Sequence, residues 1–125
     1  MKNSVFNIYC TKFLGGWIES KTLPSGITYY YYKTPKNGYL NMVCGHSKEE
    51  AWEKFTECKY ADFHKNWGSI MKVVDAIEKK GGEVTMNKVS STIKFFNTTY
   101  EATAASKKEA LIKALKSFLF DYYHE

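Results

Sequence analysis

Arginine is absent: all eighteen basic residues of the 125-residue chain are lysine. A lysine-only surface makes no bidentate forks to phosphate or to guanine edges, so groove readout of a nucleic-acid sequence is disfavoured. Loose, salt-dependent attraction to a phosphate backbone remains open, with the net charge of +5 in its favour. Cysteine is sparse. Cys10, Cys44 and Cys58 are odd in number and lack framework spacing, as expected of small buried thiols in a reducing compartment. No apolar run approaches the roughly 18 residues of a membrane span. The first residues, MKNSVFNIYCTKF, lack the apolar core and small-residue cleavage site of a secretory signal. A cytoplasmic location is therefore expected. No stretch rich in Pro, Ser or like charge divides the chain, so a single domain over residues 1–125 is expected too.

Aromatic residues, by contrast, make up 17% of the chain, which favours strands and a filled core. Ser106-Lys107-Lys108-Glu109 is a capping box, and Leu111, Ile112, Leu115, Phe118, Leu119 and Tyr122 follow at helical spacing, predicting a helix over 106–123. A second helix is predicted over 66–80, with Asn66 as N-cap, Trp67, Ile70, Met71, Val74 and Ile77 as its inner stripe, and Gly81-Gly82 closing it. A third opens at the capping box Ser47-Lys48-Glu49-Glu50 and is expected to end near Lys59, with Ala51, Trp52, Phe55 and Cys58 facing inward. Residues 4–13 fit either a helix closed by Gly15-Gly16 or an alternating strand. Strands are predicted at 27–33, 39–44, 83–88, 92–97 and 100–104. Asn37-Gly38 marks a hairpin whose loop is long enough to require a bulge or a wide turn. The fold class is thus α+β, a small antiparallel sheet with helices packed on it in α-β-α layers. Each half also reads as helix, Gly-Gly, strands, then Ser-Lys-x-Glu-Ala. Recurrent capping physics accounts for that likeness without a repeat.

No motif for catalysis is present. There is no nucleophile elbow, phosphate-cradling Gly-rich loop or marked carboxylate pair, and Glu49, Glu50, Glu53 and Glu57 look like a solvated helix face. Cys44, His46, Cys58 and His64 assemble a zinc set on paper, but their spacing matches no common finger or ribbon, and buried thiols with surface histidines explain them better. No cofactor is expected. The most informative stretch is Tyr29-Tyr30-Tyr31-Tyr32-Lys33, with Lys21, Lys36 and Tyr39 nearby. Strand alternation puts two tyrosines on each side. An outward pair can anchor a protein partner, stack nucleobases beside lysine-held phosphates, or simply cover a sheet edge.

The order of motifs resembles a known family. Lys12-Phe13-Leu14-Gly15-Gly16-Trp17 is similar to the opening of phage ABA-sandwich domain proteins, and Phe63-His64-Lys65-Asn66-Trp67 through Val73-Val74-Asp75-Ala76-Ile77-Glu78 is similar to their central helix. The resemblance covers residues 4–17 and 60–123. It departs from the family at Lys72, where relatives often carry Pro, and in the Tyr-rich stretch 18–59, which includes an enlarged β-hairpin insertion around 18–46. What the resemblance implies is a small layered phage or prophage protein that brings no catalytic residues. Such a protein is expected to bind and inhibit a host protein or protein–RNA complex, such as a CRISPR effector. The expected contact residues are Tyr29, Tyr30, Tyr31, Tyr32, Lys33, Lys36 and Tyr39. RNA or single-stranded DNA binding through Lys and Tyr, or sequestration of a small nucleotide signal, are the alternatives.

Overall fold

A computed structural model describes residues 1–34, 38–44, 47, 48, 50 and 63–124. The chain divides into two compact units, residues 2–63 and residues 64–125 together with Met1.

The N-terminal unit opens on α1, Asn3–Phe13. Phe6, Asn7, Cys10, Thr11 and Phe13 are all buried. Neighbours such as Phe6 and Asn7 can share a buried face on a helix but not on a strand, so the ambiguity of this segment resolves to helix. Thr11 Oγ1 donates back to the Asn7 carbonyl at 2.8 Å, which satisfies its buried hydroxyl. The helix stops in a Schellman turn: Gly15 N–H donates to Lys12 O at 2.9 Å and Gly16 N–H to Thr11 O at 3.0 Å.

Three antiparallel strands follow in the order β1-β2-β3: β1 Trp17–Thr22, β2 Thr28–Thr34 and β3 Gly38–Cys44. Strand β1 was not predicted, because Glu19-Ser20-Lys21 gives its sequence the polarity of a loop. The hairpin foreseen around 18–46 is therefore part of a three-stranded sheet. The irregularity expected near Asn37-Gly38 is present, as Tyr32 pairs with Asn41 but Lys33 with Tyr39, so Leu40 is the extra residue of a bulge. Glu50 N–H donates to Ser47 Oγ at 3.1 Å, as the predicted cap requires. The rest of the helix expected over 47–59 lies outside the described residues.

The C-terminal unit consists of α2 Trp67–Lys79, β4 Glu83–Met86, β5 Ser90–Phe95, β6 Thr98–Thr103 and α3 Lys107–His124, with the strands again an antiparallel meander. Asn66 Oδ1 accepts from Ser69 N–H at 3.3 Å and caps α2. A second Schellman turn ends it, with Gly82 N–H on Ile77 O and Gly81 N–H on Glu78 O, both at 3.0 Å. Ser106 Oγ accepts from Glu109 N–H at 3.2 Å at the start of α3.

Register puts Val84, Ile93 and Tyr100 in one cross-strand row and Met86, Ser91 and Ala102 in the next, on the side that also carries Phe95. Phe118 of α3 meets Phe95 and Tyr100 edge-on, with ring centroids 5.1 and 5.6 Å apart. Ile70, Val73, Val74 and Ile77 of α2 and Leu111, Leu115, Phe118 and Leu119 of α3 are buried with Ile93. A Cβ on Gly82 would strike both Ile77 and Phe95, so α2 closes against the same side of the sheet. The opposite side, with Glu83, Thr85, Lys94, Thr99, Glu101 and Thr103, is exposed. The α+β class with helices on antiparallel strands is thus observed, on two sheets instead of one, and this unit has two layers.

Both units repeat one order of elements: a helix, a Gly-Gly Schellman turn, three antiparallel strands, and a Ser-capped helix start. The likeness between the halves extends beyond capping to the order of the strands.

Candidate binding surfaces

β2 is the central strand of its sheet, so the tyrosine run does not cover an edge. Register sets Tyr29 between Lys21 and Cys44, Tyr31 between Glu19 and Met42, and Lys33 between Trp17 and Tyr39. Tyr30 and Tyr32 fall on the other side of the sheet, opposite Ser20 and Ile18. The expected residues Tyr29, Tyr31, Lys33 and Tyr39 are therefore brought to neighbouring register positions, and Tyr30 and Tyr32 are set apart from them. Lys36 lies outside the described residues.

Neither Tyr29 nor Tyr30 is fully buried, and Trp17, Glu19, Ser20, Lys21 and Thr22 along β1 are all exposed. Trp17 Nε1–H donates to Glu19 Oε1 at 2.9 Å, so an indole and a carboxylate are held together on the row that carries Tyr29 and Lys21. Lys21 was named beside the tyrosine stretch, but Trp17 and Glu19 were missed as surface residues because β1 itself was missed. Their alternation of aromatic, acidic and basic types was the available signal.

A second aromatic surface lies at the far end of the C-terminal unit. Phe96, at the β5–β6 turn, is 83% exposed and has φ +53°. Its ring touches Phe95, which contacts Tyr122, and Tyr122 in turn meets Tyr123. Phe120 stacks on His124 at 4.3 Å. The exposed Trp67 departs from the stripe assigned to it, because the cap places it at the first helical position, beyond the packed turns.

An open depression beside α3 is lined in part by Tyr100, Lys116, Ser117, Phe120 and Asp121, a set without Cys or His. Among the described residues no group of three or more His, Cys, Asp or Glu is placed to hold a metal ion. Of the zinc set, His46 and Cys58 lie outside the described residues. Cys10 is buried, and burial pushes its thiol pKa well above the ordinary value, away from nucleophile chemistry. Among the described residues no helix is long and apolar enough to cross a membrane. Compared with known proteins, the chain matches no family model, no curated protein and no solved structure. The resemblance to phage ABA-sandwich proteins rests on the residues quoted for it alone.

Proposed function

We propose that the chain is a non-enzymatic binding protein whose β1–β2 surface engages a protein partner. The observation that carries this reading is that a central, tyrosine-rich strand keeps Tyr29 only half-buried while its neighbour β1 exposes Trp17, Glu19 and Lys21. A core strand spends its aromatics inward, whereas this one leaves part of them available. Tyr and Trp supply large contact area at low entropic cost and dominate interface energetics. The mixture of signs favours protein over nucleic acid, because Glu19, opposite Tyr31, would repel a phosphate. In line with the phage-like motif order, the partner proposed is a host macromolecule inhibited stoichiometrically, such as a defence nucleoprotein.

The test is affinity capture from a bacterial host lysate with the wild-type chain and with a Tyr29→Ala/Tyr31→Ala variant that keeps wild-type circular dichroism. Loss of two hot-spot tyrosines is expected to weaken binding by at least about thirtyfold. Undiminished capture of the same protein would defeat the assignment. A second reading, stacking of single-stranded nucleic acid, is favoured by Lys21 opposite Tyr29 and Lys33 opposite Trp17. It predicts that the captured species is RNA or DNA and that it is released by added salt.

A further inference from the structure

The C-terminal unit gathers lysines at one end. α2 and α3 both begin there, since Lys108 Nζ–H donates to the carbonyl of Lys65, in the turn ahead of α2. The β4–β5 turn reaches the same place: Ala104 N–H, just before α3, donates to Val89 O at 2.9 Å, and Ser90 pairs with Thr103. Lys65, Lys88 and Lys107 are exposed and Lys108 is half-buried. Trp67, 40% exposed, stands at the first position of α2, two residues from Lys65. In the segments that form this end, 64–67, 87–89 and 104–109, the acidic residue is Glu109, set against four lysines.

The matching segments of the N-terminal unit carry less net positive charge. They offer Lys2 and Lys48, while the β1–β2 turn, Leu23-Pro24-Ser25-Gly26-Ile27, has no lysine, and Glu49 stands where Lys108 does. One order of elements has thus been furnished differently at one end, and the difference is positive charge beside an exposed indole.

We propose that this end of the C-terminal unit binds single-stranded nucleic acid, with Lys65, Lys88, Lys107 and Lys108 along successive phosphates and the Trp67 indole stacked on a base. Lysines act as point charges on a flexible backbone without reading sequence, and an aromatic face accepts any base. The parallel helix starts add partial positive charge in the same direction. An acidic peptide would use the lysines but gain no stacking from Trp67, so nucleic acid is the better fit. This site is separate from the β1–β2 surface and does not depend on it.

The full chain is titrated into a labelled oligo(dT) and followed by fluorescence anisotropy. Three or four phosphate contacts on a single strand predict an affinity loss of roughly twenty- to fiftyfold between about 50 and 200 mM salt. Lys88→Glu and, separately, Lys107→Glu, each melting like wild type, are expected to weaken binding by about tenfold or more. Trp67→Leu is expected to weaken it further, and Lys94→Glu, on the exposed side of the sheet, to weaken it less than either charge reversal. The proposal is overturned by no complex at low salt, by wild-type affinity in both Lys88→Glu and Lys107→Glu, or by an equal loss in Lys94→Glu. It is also overturned by poly-glutamate of matched charge competing as well as unlabelled oligo(dT).

Discussion

Cys10 shows no exposed surface on the inner side of α1, and burial raises its thiol pKa. Desolvation disfavours the thiolate, so the folded chain holds the proton to higher pH than the unfolded chain does. The stability linked to this proton is fully present below the pKa of the unfolded thiol and is lost as pH rises from there through the raised folded value. A disulfide reagent at pH 8 should therefore modify Cys10 only as fast as the helix opens, and at once in denaturant. Rapid modification of Cys10 in the native chain, mapped by peptide mass, would contradict its placement. Two adjacent glycines separate backbone from packing effects. Gly81 has φ +97° with open space around its Cα, so Gly81→Ala is expected to cost about 1 kcal/mol from backbone strain alone. At Gly82 a Cβ would lie 2.6 Å from Ile77 Cγ2 and 3.1 Å from Phe95 Cδ2, both parts of the packed interior. Gly82→Ala should cost more, about 1–3 kcal/mol for overpacking, as read from urea midpoints.

At the scale of elements, Phe118 ties helix to sheet. It is 1% exposed and meets Phe95, Tyr100 and Tyr122. Phe118→Ala is expected to cost about 3–5 kcal/mol, a large share of a small domain's stability, and calorimetry should find the transition of this unit shifted down or lost. The helices were legible because their signals are redundant. Cap and apolar period agree for α2 and α3, a Gly-Gly stop joins them for α2, and each cap is seen as a hydrogen bond. β1 was illegible because an exposed strand with Glu19, Ser20 and Lys21 at consecutive positions has no apolar alternation to reveal it. Burial and pairing, both tertiary facts, settle it. For the same reason the composition of the tyrosine surface was readable, with Lys21 beside it, but its neighbours Trp17 and Glu19 were not assigned to it. Trp67 was assigned to the core on spacing alone, and its position in the first turn carries it out of the packing.

At the scale of the whole molecule, the chain divides into two compact units with one repeated order of elements. The division governs the functional account, since the tyrosine strand belongs to the first unit and the lysine end to the second. The second unit has its own interior, with Ile70, Val73, Val74 and Ile77 from α2, Ile93 from β5, and Leu111, Leu115, Phe118 and Leu119 from α3. Domains of roughly 60 residues are near the lower limit for folding without a metal or disulfide, so that interior must be sufficient by itself. The direct measurement is a thermal melt of a fragment spanning residues 64–125, followed by circular dichroism at the helix band. A mixed helix and strand spectrum with a sigmoidal, reversible transition is the predicted result. A coil spectrum with no transition, under conditions where the full chain is folded, would contradict the two-unit account.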